Sequence, residues 1–317
     1  MGIQRRIVFV GNVELPTVLH LVDMKNLASL LAILLAFIHS AHAGEDLHFR
    51  LIHTNDLHSH FEGSWVAKKD GGAKRMGHYS RLLWEISELK KEAQARGEVT
   101  LTLDAGDFYA GTVFHALGPS RETEEFPEWE FFKRSGHDAV TLGNHEFDPG
   151  NRGVETMFKK VQGGPVIVST NLVLPNQKFS LDKVRSHFIK EIKYRNETLK
   201  VGILGLLGPD GCLVSRGTRE KIKFLGFDDD SSKERWGELI DRLQEEIRLV
   251  QKETDLVILV MHAGNPEDQK LAEALKGVDL IVAGHTHQVY GHEVNGVPIV
   301  QAGQFGAQLG VLDIAYN

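Results

Sequence analysis

Cysteine is nearly absent. Cys212 stands alone in 317 residues, so no internal disulfide forms and no cysteine-built zinc site exists. A lone cysteine of this kind is read as a small buried apolar side chain. An excess of positive charge is also missing: 36 Lys and Arg stand against 43 Asp and Glu, a formal net charge of −7. That excludes a broad basic footprint for a nucleic acid polymer or an anionic membrane. It leaves room for a small anion at a local positive centre such as a metal ion. Repeats, low-complexity tracts and Pro/Gly/Ser linkers are missing from residues 44–317 as well. With 42% hydrophobic residues, the chain is expected to form one α/β domain with a substantial core.

Long apolar runs are missing with one exception. Leu27 to Ile38 follows Lys25 and precedes Ala41-His42-Ala43, the order of a secretory signal peptide. The run is shorter than the roughly 20 residues a membrane span needs. Residues 1–43 are therefore expected to be leader, with the signal at about 24–43 and residues 1–23 upstream of the true start. The expected destination is the periplasm or the outside of the cell, with no stable membrane insertion after cleavage.

What is present is alternation. "FRLIHT" (Phe49 to Thr54), "VTLTLD" (Val99 to Asp104), "DAVTLG" (Asp138 to Gly143), "PVIVST", "DLVILVMH" and "DLIVAG" read as strands. Between them, "MGHYSRLLWEISELKKEAQARG", "FPEWEFFKRSG", "GVETMFKKV", "SKERWGELIDRLQEEIRLVQKE" and "PEDQKLAEALKG" read as helices. In the first helix Leu82, Leu83, Ile86 and Leu89 lie at helical spacing and Gly97 is the stop. "SHFIKEIKY" and "KVGILGLL" flank a turn. The end of the chain reads as β-hairpin material around Asn295-Gly296.

Polar clusters fall where strands end. Asp56 and His58 follow the first strand and Asp107 the second. Asn144, His145 and Asp148 follow the third, His262 ends "DLVILVMH", and His285 and His287 follow "DLIVAG". The carboxyl ends of strands in α/β sheets are where ligands bind, so neighbouring strands would bring these groups together. Imidazole and carboxylate donors without thiolate suit zinc, iron or manganese better than copper(I). The donors outnumber the needs of one tetrahedral ion. A bridging carboxylate holding two ions about 3.5–4 Å apart suits phosphoester hydrolysis, because such a pair lowers the pKa of a bound water and spreads phosphoryl charge. Each piece also has a bland reading: a polar loop for Asp56 and His58, a cap for Asp107, a turn residue for Asn144, a core histidine for His262, surface residues for His285 and His287. Their joint occurrence argues against coincidence.

"LIHTNDLHSHF", "GD", "DAVTLGNHEFD", a lone histidine after an apolar strand, and "GHTH" resemble the calcineurin-like metallophosphoesterases, and the long first and third motifs resemble the 5'-nucleotidase family. The likeness runs from about Phe49 to the chain end. It implies a sandwich of two mixed β-sheets flanked by helices. It assigns one divalent ion (Mn, Zn, Fe or Mg) to Asp56, His58, Asp107 and His287, and a second to Asp107, Asn144, His262 and His285. It makes His145 the catalytic imidazole, oriented by Asp148 and kept protonated by that carboxylate. The implied activity is hydrolysis of a small phosphoester, first of all a nucleotide monoester. A phosphodiester and an inactive metal-binding accessory protein or truncated nucleotidase are the alternatives. The resemblance departs in two places. The family's C-terminal substrate domain is expected to be absent, so no residue is assigned to base recognition. "GHTH" ends in His287 where many nucleotidases have an amide, which implies a tighter or differently selective first ion.

Among the other histidines, His53, His78 and His137 are expected to be structural. His60 lies near the clusters and reads equally as a supporting or a bland residue, and for His115, in the loop after Asp107, a substrate-facing role is the weaker of its two readings. "GGAKR" (Gly71 to Arg75) reads either as a phosphate-binding helix start or as a solvated loop.

Overall fold

A computed structural model of the chain describes residues 4–10, 47–117, 126–173, 183–218 and 222–316. The expected signal segment, residues 24–43, lies outside them. Among the described residues no helix is long and apolar enough to cross a membrane.

Two mixed sheets form the centre. The first holds seven strands: β1 (Gln4–Val10), β2 (Leu47–Thr54), β5 (Val99–Asp104), β6 (Ala139–Val140), β7 (Val166–Val168), β8 (Val184–Arg185) and β15 (Leu309–Tyr316). Their spatial order is β1-β15-β2-β5-β6-β7-β8, with β2, β5, β6 and β7 parallel. The strand Gln4–Val10 thus pairs with the last strand at the sheet edge, within the stretch expected to precede the true start. The second sheet has six strands: β9 (His187–Tyr194), β10 (Glu197–Leu207), β11 (Leu256–His262), β12 (Leu280–Ala283), β13 (Val289–Val294) and β14 (Val297–Ala302). Its order is β9-β10-β11-β12-β14-β13. A small hairpin, β3 (Ser64–Ala67) with β4 (Ala73–Met76), stands apart from both.

The side chains of β11 show why the sheets stack. Leu256, Ile258 and Val260 point one way and join Leu51, Leu101, Leu103 and Ile203 in a core between the sheets. Val257, Leu259 and Met261 point the other way, against Leu239, Leu243 and Ile247 of α5 (Trp236–Val250) and Leu271 of α6 (Asn265–Ala274). A strand apolar on both faces is what a sheet covered on both sides requires. On the outer face of the first sheet, α1 (Tyr79–Ala95), α2 (Pro127–Ser135) and α3 (Gly150–Lys160) supply Leu82, Ile86, Phe131, Phe132 and Met157 to a third core. The layers run helices, sheet, sheet, helices, as the resemblance implied.

Most expected elements form, with shifted ends. The third strand stops at Val140 instead of Gly143, because Thr141 turns its hydroxyl to Val168 O and the Gly143 N–H goes to Glu146. The helix expected from Ser232 begins only at Trp236, since Lys233–Glu234 pairs with Phe227–Asp228. "GGAKR" is at neither end of a helix: Ala73 to Met76 form β4, and the exposed Arg75 pairs with Glu62. The Asn295-Gly296 turn joins β13 to β14, but β15 crosses to the other sheet and lies beside β2. A short helix, α4 (Pro209–Val214), follows β10.

Candidate metal centre

The carboxyl ends of β2, β5, β6, β11 and β12 meet at one end of the sandwich. Backbone hydrogen bonds tie their loops together. The Asp56 N–H donates to Gly106 O, the His58 N–H to Asp107 O, and the Phe305 N–H to Asp56 O. Two glycines allow this approach. A Cβ on Gly143 would sit 2.1 Å from Asp107 Oδ1, and one on Gly284 would lie 2.8 Å from both Ala105 O and His262 Nδ1. Asp56, His58, Asp107, His285 and His287 all have positive φ, between 49° and 83°. Non-glycine residues rarely adopt this region, and such strain gathers at functional sites.

All three groups of metal-capable side chains among the described residues fall here: Asp56, His58 and His287; His58, Asp107 and His145; Asp107, His262 and His285. The atoms face one another closely. His58 Nε2 lies 3.1 Å from His287 Nε2, and His287 Nε2 lies 3.4 Å from Asp56 Oδ1. His262 Nε2 is 3.0 Å from Asp107 Oδ2 and 3.2 Å from His285 Nδ1. Asp107 Oδ2 also lies 3.6 Å from His58 Nε2, between the two sets. Tetrahedral bonds near 2.1 Å to zinc put neighbouring donor atoms about 3.4 Å apart, so the spacing fits shared cations. Asn144 contributes a buried Oδ1 with no hydrogen-bond partner. A buried, unpaired carbonyl oxygen is costly unless something binds it.

The charges are divided among the donors. Burial opposes a proton on His262, but Asp107 outweighs it and raises the imidazole to about 10, so a cation bound there would have to displace that proton. Burial holds the His58 imidazole down at about 4, against the pull of Asp107 and Asp56, so it is neutral as a ligand must be. Burial also opposes the charge on Asp107, but His262 and His58 outweigh it and keep the carboxyl below its usual range. His145 stands at the edge of the cluster, its ring 4.9 Å from that of His58. Its Nδ1 lies 2.6 Å from Asp148 Oδ2. That hydrogen bond raises the imidazole to about 9, burial working against it, and leaves Nε2 as the nitrogen available to a ligand.

Every metal-site residue read from the sequence lies in this region. Several supporting residues were not legible there. Glu146 is fully buried and takes three backbone N–H groups, from Asp107 at 3.0 Å, Gly143 at 2.6 Å and Tyr109 at 3.0 Å. It locks the second and third loops together. Asn55 spans Asp56 Oδ2, Gly303 O and the Ala302 N–H. Phe305 packs its ring on His58 and His287 and stacks on His60 at 3.8 Å, which gives His60 a supporting place. His53 and His137 are buried and structural, His137 bonding Ser135 and Thr54. His115 is exposed after Asp107, its ring against Tyr109.

Fold and side chains together define an α/β sandwich with a His/Asp metal-ligand cluster at one end. The model of the calcineurin-like phosphoesterases matches residues 49–289, and the chain belongs to that family, whose members use divalent metal ions. Snake venom 5'-nucleotidase of Gloydius brevicauda is 30% identical over 290 residues, 84% of this chain and 45% of its own length. The 5'-nucleotidase of Bos taurus is 29% identical over 84% of this chain and 46% of its own. Among solved structures, the 5'-nucleotidase precursor of Thermus thermophilus superposes with a TM-score of 0.66 at 26% identity, covering 84% of this chain and 51% of that one. The chain spans about half the length of the relatives it matches.

Proposed function

We propose that this chain hydrolyses phosphoesters with two divalent ions. Asp56, His58, Asp107 and His287 would hold one, and Asp107, Asn144, His262 and His285 the other. The observation that carries this reading is the position of Asp107 Oδ2, 3.0 Å from His262 and 3.6 Å from His58. A carboxylate between two imidazole sets is suited to bridging. When bound, such a pair supplies Lewis-acid stabilisation of phosphoryl oxygens and a water acidic enough to ionise near neutral pH. The chain supplies the rest. His145, charged through its bond to Asp148, offers an Nε2–H to a phosphoryl oxygen or a proton to the departing alkoxide. Glu146 and Asn55 hold the loops so that the donors need not reorganise.

The nucleotidase relatives make nucleoside 5'-monophosphates the first substrates to assay. We also read residues 44–317 as the catalytic unit and the protein as exported, on the signal-like order of residues 24–43. The test is a panel of phosphomonoesters and phosphodiesters with manganese. Hydrolysis of 5'-mononucleotides, ahead of cyclic nucleotides and aryl diesters, is expected. Diester preference would replace the nucleotidase reading. A metal-replete protein inert on every ester would point to an accessory role.

A further inference from the structure

The loop after β10 reaches the same end of the sandwich, although the sequence there offered only the lone Cys212 and no candidate ligand. β10 runs parallel to β11, with Leu207 level with His262. The next residues form α4, and its Asp210 carboxylate lies against the cluster: Oδ2 is 2.8 Å from His285 Nε2. The imidazole of His285 therefore has two distinct sides. Nδ1 faces inward, 3.2 Å from His262 Nε2, and Nε2 faces outward to Asp210.

The placement of Asp210 is built into the fold. Its own N–H donates to Glu267 Oε1 on α6 at 3.0 Å. The Gly208 N–H donates to His262 O at 3.0 Å, and a Cβ on Gly208 would meet Glu267 Oε2 at 2.2 Å. α4 is thus fastened to the strand that ends in His262 and to the helix that follows. Although the Asp210 side chain is about half exposed, its one ion-pair partner among the described residues is His285.

We propose that Asp210 is a positioning residue for the ion held by Asp107, Asn144, His262 and His285. By accepting the Nε2–H it fixes the tautomer that turns Nδ1 inward, sets the ring plane and makes the nitrogen a stronger donor. His262 is served in the same way, its Nδ1–H donating to Ala105 O at 2.8 Å. For His58 and His287 no such bond at the second nitrogen is found among the described residues. Asp210 therefore acts on one ion and not on the other. The inference rests on the two-ion reading above.

The experiment is equilibrium dialysis of the full chain against graded Mn²⁺, with bound metal counted by mass spectrometry. It compares wild type, Asp210→Ala, Asp210→Asn, His285→Ala and the Asp210→Ala/His285→Ala double variant. In Asp210→Ala one ion should weaken by about 10–100-fold, the usual effect of losing such a partner, and the other should stay within about twofold. Asp210→Asn, whose amide oxygen still accepts the bond, should recover part of the loss. In the double variant Asp210→Ala should add nothing to His285→Ala. Unchanged binding of both ions in Asp210→Ala would overturn the proposal, as would equal weakening of both with a lower melting temperature of the metal-free protein. A wild type that binds two ions keeps those failures separate from failure of the two-ion reading. A wild type that binds fewer sinks both.

Discussion

At the scale of single residues, the proposed roles of holding metal and of using it fall to different side chains. His145 is bonded to Asp148 at 2.6 Å, and its backbone N–H donates to Asp107 Oδ1 at 2.8 Å. Its main chain helps to orient the Asp107 carboxylate, proposed above to bridge, and its ring stands at the edge of the cluster, 4.9 Å from that of His58. His145→Asn keeps the backbone and removes the proton donor. It should lower kcat by about 10²–10⁴-fold, the usual contribution of a positioned acid or base, with both ions still bound. Loss of metal in that variant would make His145 a ligand. Glu146 shows the other kind of residue. No substrate need touch it, yet three N–H groups from two loops end on its carboxylate.

At the scale of elements, α2 is docked onto the first site loop through a buried acid. Glu128 Oε1 accepts the Ser59 hydroxyl at 2.5 Å, one residue past His58. Burial lifts its carboxyl from 4.5 to about 7. The folded state therefore favours the protonated acid. The stability this gives is full below about 4.5 and is lost as pH rises to about 7. Glu128→Gln has no such proton to lose. Relative to wild type it should gain on the order of 2–3 kcal/mol between pH 5 and pH 8, read by urea unfolding at both values. A constant difference would show that Glu128 does not titrate in this range.

Elements also mark how far the sequence could be read. The strands feeding the site were legible because each is an apolar run broken abruptly by Asp, Asn or His, and the metal-capable residues lie at those breaks. Position within a strand end says nothing of what crosses from another loop. Glu146 sits inside the third motif, but its partners Asp107 and Tyr109 come from elsewhere. Asp210 and Phe305 lie in segments with no metal-like pattern, and only the sheet order brings them to the cluster. The hairpin of β3 and β4 was missed because each strand is only four residues long and Lys74 and Arg75 leave β4 without an apolar alternation. The third strand was read too long because Thr141 and Leu142 are good strand formers, and the turn to Glu146 overrides that preference.

At the scale of the whole molecule, two sheets packed face to face present the ends of five strands at one edge, and a sixth contributes through α4. The sheets belong to one core, with β2 and β5 on one side and β10, β11 and β12 on the other. The site straddles them: Asp56, His58 and Asp107 come from the first sheet, His262, His285 and His287 from the second. A cation held as proposed would fasten the layers where the interlayer core ends. The most direct test of the central claim is the metal content of full-length Asp107→Ala beside wild type, by mass spectrometry after dialysis against micromolar Mn²⁺. Two ions per wild-type chain, and loss of affinity for both in the variant, are expected. If the variant loses only one ion and holds the other as tightly as wild type, Asp107 does not bridge, and the paired site proposed here is wrong.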